Sequence, residues 1–518
     1  MAELLLKLAQ ERGSEPALID ETGVTSWASF DERVNRLIHG LRALGVVPGT
    51  TIAAMLANTR EYYEVLAAAA HGGFAVVPVN WHWVADELAY VINDSGAMVV
   101  LADARFAQVA TDALATCAGV SARISVGGAI DDFTAYEDVL SGADPSEPLD
   151  QFLGGPMFYT SGTTGRPKGV RSSLFGEANV PVGVFAFMVA GFSDGYAMPK
   201  NGVTLLDGPL YHSAQWAFSL LPLFAGSTVV MRHKFDPVMT LRAIDEHHIT
   251  NVHLVPTQFV RLLKVADEDR ARFRGEALQM VWHGAAPCSP EVKRRMIDWW
   301  GPRITEYYGG TEGGVVSLAS SEEWLARPGT LGKPLPNMEV LIVKEDGSPA
   351  AVGESGTIYL RNLTGGSFKY HNDPEKTSKA YREPGVMTLG DIGYLDADGY
   401  LFMSDRQIDM IISGGVNIYP AEIEGVLVTH PAVRDAAVFG IPNDDFGEEV
   451  KAAVELNDDV EVTPELIESL LLHCRSTLAG YKVPRSIDIE AALPRQPTGK
   501  LYKRLLRDPY WEGTGRTI

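Results

Sequence analysis

The sequence is poor in cysteine and in basic residues relative to acidic ones. Its three cysteines, Cys117, Cys288 and Cys474, are far apart in a chain of 518 residues, so neither a disulfide framework nor a cysteine zinc site is indicated. Acidic residues number 66 against 44 basic ones, which gives a formal net charge of −22. Such a charge argues against a general nucleic-acid binder and against a protein of anionic membrane surfaces.

Long apolar runs are also missing. The longest covers residues 180–192 and is interrupted by Pro181, Gly183 and Gly191. Because a membrane-spanning helix needs roughly 20 apolar residues, we expect no transmembrane segment and interpret this run as a buried segment or the lining of an apolar pocket. Residues 1–7 lack the basic start of a secretion signal, and together with the sparse cysteine this favours a cytoplasmic protein.

What is present is typical of a globular enzyme, with 46% hydrophobic and 21% charged residues. The first 150 residues alternate short apolar runs with helical patterns. The predicted strands are 51–56, 75–79 and 97–101, and the predicted helices include 61–70 and 85–92. A capping-box pattern at 29–32 predicts the start of another helix. This alternation indicates parallel sheets covered by helices.

From about residue 340 onward, the sequence pattern predicts short strands and turns. The last 110 residues or so then read as a small α+β unit, with helical patterns at 421–429 and 463–478. We therefore predict a large N-terminal domain, residues 1–405, and a small C-terminal domain, residues 406–518.

Residues 159–169 carry the strongest chemical signal. They combine the hydroxyls of Thr160, Ser161, Thr163 and Thr164 with glycines and with Arg166 and Lys168. Glycines allow backbone N–H groups to approach a ligand, and hydroxyls with a lysine suit anionic oxygens, so phosphate is the expected ligand. A mobile Ser/Gly surface loop is the alternative. The spacing does not match a Walker A loop.

Three other stretches carry candidate functional groups. His212 follows a predicted strand at 203–206, although a lone histidine is more often structural. Residues 281–287 combine a strand end with a glycine–alanine turn. In residues 306–314, aromatic side chains and glycines suit the stacking of a planar base, and Thr311 with Glu312 suits a hard cation such as Mg²⁺. Residues 481–507 are locally basic, which indicates either a solvated helix face or a site for an anionic ligand.

Taken together and in order, these motifs resemble the adenylate-forming superfamily, which includes acyl- and aryl-CoA synthetases, peptide-synthetase adenylation domains and firefly luciferase. The motifs are residues 159–169, 308–312, 390–391, 406, 412–422 and 493–500. The resemblance covers nearly the whole chain. Residues 283–287 and 411–415 look most like acyl-CoA synthetases, specifically the fatty-acid–CoA ligase branch.

The resemblance implies an α/β fold. Its large multi-subdomain N-terminal domain would hold βα sheets and a distorted β-barrel, and its C-terminal domain would be small, mobile and α+β. It also implies an ATP-dependent acyl-CoA synthetase. A lipophilic carboxylic acid would attack the α-phosphate of ATP to give acyl-AMP and pyrophosphate, and coenzyme A would then displace AMP. ATP, Mg²⁺ and coenzyme A are the implied cofactor and substrates, and a monomer or homodimer with no nucleic-acid partner is expected.

Alternatives remain open at this point. The main one is a stand-alone adenylating enzyme that loads an acyl or aryl acid onto a carrier protein. A luciferase-like oxygenase and a non-catalytic nucleotide-binding module are the others. Fatty, aromatic and steroid-like acids are all compatible with the sequence.

Residue roles follow by position from the resemblance. The phosphates would be held by Thr160, Ser161, Gly162, Thr163, Thr164 and Lys168. Tyr308 would stack on adenine, with Gly284, Ala285 and Ala286 along its edge, and the ribose hydroxyls would be bound by Asp391 and Arg406. Gly309 and Thr311 would also belong to the ATP- and AMP-binding residues. The metal would bind at Thr311 and Glu312, and catalysis would use Lys500, His212 and Glu312. The acyl pocket would be formed by His212, Trp216, Trp282, Tyr307, Gly309 and Gly310. Gly414 and Gly415 would flank coenzyme A after the small domain rotates. At the hinge, where the family usually has Asp or Lys, this chain has Ile408.

Overall fold

The structure is a computed structural model, and it describes residues 2–512 except 161–166, 174–179, 197, 287, 407–408, 414–415, 444–445, 459 and 496–500. For residues 2–4, 404–406 and 416–417 it describes the backbone only. The described residues form a mixed α/β protein, with a large N-terminal part of several sheets and a small C-terminal part. Across these residues, no helix is both long and apolar enough to span a bilayer.

The first sheet confirms the predicted strand–helix alternation. All its strand pairs are parallel, because helices such as Arg60–Gly72 and Ala85–Ser95 connect its strands and cover its faces. Its strands are, in spatial order, Thr134–Ala135, Ala122–Val126, Val99–Asp103, Thr51–Met55, Ala75–Pro78 and Gly155–Pro156.

The second sheet, named here the central sheet, positions most of the candidate site. Its strands are, in spatial order, Lys333–Pro334, Gly314–Ala319, Ile304–Gly310, Met280–His283, Asn251–Leu254, Val203–Leu206, Thr228–Met231, Pro16–Asp20 and Gly23–Ser26. From Ile304–Gly310 to Pro16–Asp20 neighbouring strands are parallel, whereas the edge strands are antiparallel. The carboxyl ends of the parallel strands therefore meet at one edge, where α/β folds usually bind ligands.

The helices that cover these sheets are mostly amphipathic. In the N-terminal part they are Ala2–Arg12, Trp27–Ala43, Arg60–Gly72, Ala85–Ser95, Ala107–Leu114, Tyr136–Leu140, Gly183–Gly195, Ser213–Phe224, Pro237–Glu246, Pro256–Leu262, Asp267–Arg272, Pro290–Trp300, Ser321–Ala326 and Pro374–Ala380.

One local prediction for this part was wrong, and another is confirmed only in part. The helix Trp27–Ala43 begins before the expected capping box, because Ser26, still extended at the end of a strand, accepts a hydrogen bond from Ser29 N at 3.2 Å. The apolar run at 180–192 is not fully buried. It becomes the helix Gly183–Gly195, which buries Phe185 and Val189 but leaves Phe187 83% exposed.

Two antiparallel sheets complete the N-terminal part. A small one, named here the phosphate-loop sheet, has the order Phe368–Tyr370, Lys168–Ser172, Phe158–Thr160. The other consists of Met338–Val343, Gly356–Asn362, Val386–Leu395, Tyr381–Glu383 and Leu401–Arg406. The expected distorted β-barrel is not found among the described residues. On the edge strand Leu401–Arg406, Phe402 pairs with Tyr394 and forms an isolated bridge to Thr330.

The C-terminal part has its own sheet and core. The strands are Val416–Ile418, Ile411–Ser413, Gly447–Leu456, Val433–Asn443 and Ser486–Glu490, and the helices are Pro420–Leu427, Pro464–Thr477 and Lys503–Trp511. Ile423, Val438 and Leu470 are fully buried in that core. In the described ranges this sheet takes strands only from residue 411 onward, which agrees with a boundary near 405, although the exact boundary stays a prediction.

Candidate active site

Three segments of the candidate site lie at the carboxyl edge of the central sheet. His212 lies beyond the strand Val203–Leu206, residues 284–286 follow Met280–His283, and residues 307–310 end the strand Ile304–Gly310. Met280–His283 and Ile304–Gly310 are direct parallel neighbours. Sheet topology therefore brings together segments that are about 100 residues apart in the sequence.

The turn after the strand Met280–His283 allows a neighbouring side chain, and also a ligand, to approach its backbone closely. A Cβ on Gly284 would lie 2.6 Å from the Tyr307 ring, so only glycine fits beside that ring. The next residue, Ala285, has φ +65°, a left-handed conformation that disfavours an L side chain. Backbone strain of this kind is concentrated at functional sites.

Tyr308 and Asp391 are joined across two sheets. The Tyr308 hydroxyl donates a 2.7 Å hydrogen bond to Asp391 Oδ2, and both residues are buried. Asp391 also lies directly opposite Arg406 in the antiparallel pairing of Val386–Leu395 with Leu401–Arg406. Three residues predicted to bind adenosine therefore share one backbone neighbourhood, although the Arg406 side chain lies outside the described atoms.

These residues border a cavity of about 1380 Å³. Gly284, Ala285, Ala286, Tyr307, Tyr308, Gly309 and Asp391 line it from the N-terminal part. Tyr419, Glu422, Arg495, Leu501 and Tyr502 line it from the C-terminal part. The cavity is large enough for a nucleotide and lies where the two parts meet.

The predicted phosphate-binding residues are only partly described. Thr160 and Lys168 face each other in the pairing of Phe158–Thr160 with Lys168–Ser172. The predicted residues Ser161, Gly162, Thr163 and Thr164 lie outside the described residues. The pairing brings Thr160 and Lys168, on either side of those residues, next to each other.

The predicted metal residues have hydroxyl neighbours. Thr311 Oγ1 lies 2.9 Å from Ser213 Oγ, in a hydrogen bond that either group can donate. Tyr370 donates its hydroxyl to Glu312 Oε1 at 3.0 Å. Within the described ranges no group of three His, Cys, Asp or Glu gathers, so the protein donors here are one carboxylate and hydroxyls.

Lys376 was missed by the sequence reasoning. It lies in the helix Pro374–Ala380, with its ammonium 4.5 Å from the centroid of the Tyr370 ring. Burial, and then the adjacent Lys168 ammonium, lower the pKa of Lys376 to about 8. An Asp followed by a Pro, as at Asp373 and Pro374, is typical of a helix start, so the sequence could have predicted this helix. Its closeness to Lys168 was not predictable, because it depends on the pairing of the strands Phe368–Tyr370 and Lys168–Ser172.

The predicted acyl-pocket residues belong to an aromatic cluster. Trp282 and Tyr307 pack on Phe218, with ring centroids 5.0 and 4.9 Å away. His253, also missed by sequence, stacks on Phe218 at 5.0 Å. Its Nδ1 lies 2.9 Å from Gln215 Nε2 and its Nε2 lies 2.9 Å from the Tyr307 hydroxyl. Burial, aided by His212, lowers the pKa of His253 to about 3, so this imidazole is neutral.

His212 caps the helix Ser213–Phe224, where its Nδ1 accepts from Ala214 N at 3.3 Å. With Gln215 and His253 it borders a cavity of about 10 Å³, which has room for one water at most. Trp216 packs edge-on against Phe158, 5.9 Å away, and Gly310 faces Leu389. Of the acyl-pocket candidates, Trp282, Tyr307 and His212 therefore gather around Phe218 and His253.

The remaining predicted residues belong to the C-terminal part. Lys500, Gly414 and Gly415 lie outside the described residues, as does Ile408. The basic tail is more neutral than its sequence suggested. Lys482 pairs with Glu422, Lys503 pairs with Glu424, and Arg495 pairs with Asp435. Acidic residues distant in the sequence thus compensate the cations expected to attract an anion.

Comparison with known proteins agrees with this geometry. The AMP-binding enzyme family matches residues 6–365, and the AMP-binding enzyme C-terminal domain matches residues 422–500. A feruloyl-CoA synthase of Amycolatopsis is 33% identical over 491 residues, 93% of either chain. A 3-oxocholest-4-en-26-oate–CoA ligase of Rhodococcus rhodochrous is 31% identical and covers 98% of this chain and 95% of its own.

A solved structure shows the same fold. The o-succinylbenzoate CoA synthetase of Bacillus subtilis, in complex with its acyl-adenylate intermediate, superimposes with a TM-score of 0.82. It is 27% identical and the match covers 98% of each chain. This chain therefore belongs to the AMP-binding enzyme family, and its relatives confirm the acyl-CoA ligase branch that the motifs predicted.

Proposed function

We propose that the protein is an ATP-dependent acyl-CoA synthetase that acts on a lipophilic carboxylic acid. The observation that carries this proposal is the cavity at the carboxyl edge of the central sheet, where Tyr308 and Asp391 meet the Gly284–Ala286 turn. The end of the phosphate loop at Lys168 and the Glu312 carboxylate lie on the adjoining elements. This arrangement suits a nucleotide whose α-phosphate faces an acyl site.

In the first step, a carboxylate oxygen of the acid attacks the α-phosphate of ATP. The bond from the α-phosphorus to the bridging oxygen breaks, and pyrophosphate leaves with the bonding electrons. Phosphoryl transfer asks a protein mainly for positioning and charge neutralisation. Tyr308 and Asp391 would hold the adenosine, Lys168 the leaving phosphates, and Lys500 the two approaching anions.

Glu312 and Thr311 are the residues that would hold Mg²⁺. The ion commonly binds through one or two carboxylates together with substrate phosphates and water, and one carboxylate beside hydroxyls fits that requirement. When bound, Mg²⁺ supplies charge neutralisation on the phosphates. Tyr370 orients the Glu312 carboxylate through its 3.0 Å hydrogen bond.

In the second step, the coenzyme A thiolate attacks the acyl carbonyl and AMP leaves. Rotation of residues 406–518 about a hinge near residue 408 would exchange Lys500 for Gly414 and Gly415 beside the pantetheine arm. Leu501 and Tyr502, which directly follow Lys500 in the sequence, line the cavity with Tyr308 and Asp391. Their position supports the placement of Lys500 in the first step.

The substrate class is supported by the aromatic cluster at the acyl site. Phe218, Trp282 and Tyr307 pack against one another there, and Tyr307 lines the cavity, so this side of the site is aromatic and apolar, which suits an aromatic or other lipophilic acid better than acetate. The relatives named for feruloyl-CoA and for a steroid-derived acid agree with that class.

The test is a panel of acids assayed for pyrophosphate release with and without coenzyme A, with thioesters identified by mass spectrometry. The panel contains acetate, medium- and long-chain fatty acids, cinnamic acids and a steroid acid. The proposal predicts ATP- and acid-dependent pyrophosphate release, a CoA thioester, and a preference for a lipophilic acid over acetate. Pyrophosphate release that never yields a CoA thioester would instead favour loading of a carrier protein.

A further inference from the structure

We propose that Lys376 is a second cationic ligand for the polyphosphate of ATP, acting beside Lys168. The inference rests on the proposed function, since it assigns a further residue to the same nucleotide site. It concerns binding of the β- and γ-phosphates and of pyrophosphate, not of the adenosine.

Strand pairing places Lys376 at the end of the phosphate loop. Lys168–Ser172 is the middle strand of the phosphate-loop sheet, between Phe158–Thr160 and Phe368–Tyr370. The chain then turns at Asp373, whose side chain accepts a hydrogen bond from Lys376 N at 2.9 Å and starts the helix Pro374–Ala380. Tyr370 N in turn donates a 3.0 Å hydrogen bond to Thr377 Oγ1, which fixes the helix against the sheet.

The ammonium of Lys376 has an unusual environment for a lysine. It lies over the Tyr370 ring, 4.5 Å from the centroid, and adjacent to the Lys168 ammonium. Like charges held together in a partly buried site repel one another. The carboxylates that offset this charge are Asp373 and Glu312, and Glu312 is already contacted by Tyr370 and would be shared with a metal.

An anion bound between the two lysines would remove that repulsion. Phosphate oxygens are suitable, because each can accept hydrogen bonds from an ammonium group, and such charge-assisted bonds are stronger than neutral ones. A polyphosphate also has enough oxygens to contact two cations and a metal at once. AMP has no β- or γ-phosphate and would leave the pair unbridged.

A structural role is the competing explanation, in which Lys376 only packs its stem and charge on Tyr370. Cation–π contacts of this kind are worth about 0.5–1 kcal/mol at exposed sites. They give no reason to place the ammonium against a second lysine, because Lys168 opposes the positive charge there. A structural role would also affect ATP and AMP equally.

The experiment compares Lys376→Met, Lys376→Arg and the control Lys379→Met by calorimetric titration with ATP, AMP and inorganic pyrophosphate. Lys379 lies on the same helix, but its side chain is 74% exposed and pairs with Glu375. We expect Lys376→Met to weaken ATP and pyrophosphate binding about tenfold or more, as for loss of a charged hydrogen bond, and to leave AMP binding unchanged. Lys376→Arg should recover most of the loss.

Each titration is repeated in EDTA with no added Mg²⁺. If Lys376 contacts phosphate directly, its loss weakens pyrophosphate binding in both conditions, whereas an effect only in Mg²⁺ would mean that it acts through Tyr370 and Glu312. The inference would be overturned if Lys376→Met bound ATP and pyrophosphate with wild-type affinity. It would also be overturned if the variant lost affinity for ATP and for AMP equally. Absence of ATP binding by the wild-type protein would instead refute the proposed function.

Discussion

The Tyr308 hydroxyl lies 2.7 Å from Asp391 Oδ2 and joins the central sheet to the neighbouring antiparallel sheet. The two residues are 83 positions apart, yet they line the same cavity as the Gly284–Ala286 turn. The bond fixes the carboxylate that is proposed to bind ribose relative to the aromatic ring that is proposed to stack on adenine. Adenosine recognition and the packing of two sheets are thus coupled.

Tyr308→Phe should weaken AMP binding and lower stability together. The substitution keeps the ring but removes the hydrogen bond to buried Asp391, and loss of a partner by a buried polar group costs about 1–3 kcal/mol. Urea unfolding and AMP titration measure the two effects. Tyr394→Phe is the matched control, because Tyr394 lies on the same strand as Asp391 but stacks on Phe402. Unchanged AMP affinity in Tyr308→Phe would contradict the assignment.

Tyr307→Ala should shift selectivity toward bulkier acids. The Tyr307 ring occupies the space beside Gly284 and packs on Phe218, so its removal leaves room at the proposed acyl site. We expect kcat/KM for the bulkiest accepted acid to rise relative to the smallest. Tyr307→Phe, which loses only the hydrogen bond to His253, should retain the wild-type order of substrates. If Tyr307→Ala ranked the acids by kcat/KM in the same order as the wild type, the acyl group would not bind beside Tyr307.

Lys500→Ala should abolish adenylation and leave thioester formation from supplied acyl-adenylate largely intact. The reason is that Lys500 is proposed to act only where the carboxylate and the α-phosphate approach. Pyrophosphate release measures the first half-reaction, and conversion of synthetic acyl-AMP with coenzyme A measures the second. Lys482→Ala, which removes a lysine paired with Glu422, is the control. Equal loss of both half-reactions would rule out the domain-rotation assignment.

Stability should fall as the pH rises toward neutrality because of Asp31. Burial, and then the negative charge of Glu147, raise the pKa of Asp31 from 3.8 to about 7. A carboxyl with a raised pKa stabilises the fold in its neutral form, so its contribution is complete below pH 3.8 and disappears as the pH passes 7.

Asp31→Asn keeps a neutral side chain and removes this titration. The urea midpoint of Asp31→Asn should therefore rise relative to that of the wild type as the pH increases from 5 to 8. Exposed Asp131 provides the control Asp131→Asn, which should follow the wild type. A parallel pH dependence in wild type and Asp31→Asn would show that this carboxyl is already ionised at pH 5.

Periodic patterns predicted much of the fold. The strands Thr51–Met55 and Ala75–Pro78 were predictable, because a buried parallel strand needs a short apolar run with turn residues at its ends, and so was the helix Arg60–Gly72 between them. The start of Trp27–Ala43 was not, because Ser26 and Ser29 are both acceptable caps and the preceding strand decides between them.

The site residues that belong to sequence motifs, such as Tyr308 and Asp391, were predictable. Lys376 and His253 were not, since neither belongs to a motif and each reaches the site through strand pairing. The compensation of the basic tail by Glu422, Glu424 and Asp435 was missed for a similar reason. A local charge count does not include acids that tertiary structure brings close.

The most direct test of the central claim is acid-dependent exchange of labelled pyrophosphate into ATP, measured without coenzyme A. An adenylating enzyme should show exchange with a lipophilic acid and none without acid, and Asp391→Ala should lose it because adenosine is no longer held. Coenzyme A should then convert the accumulated adenylate into a thioester and AMP. ATP binding with no exchange for any acid in the panel would contradict the account.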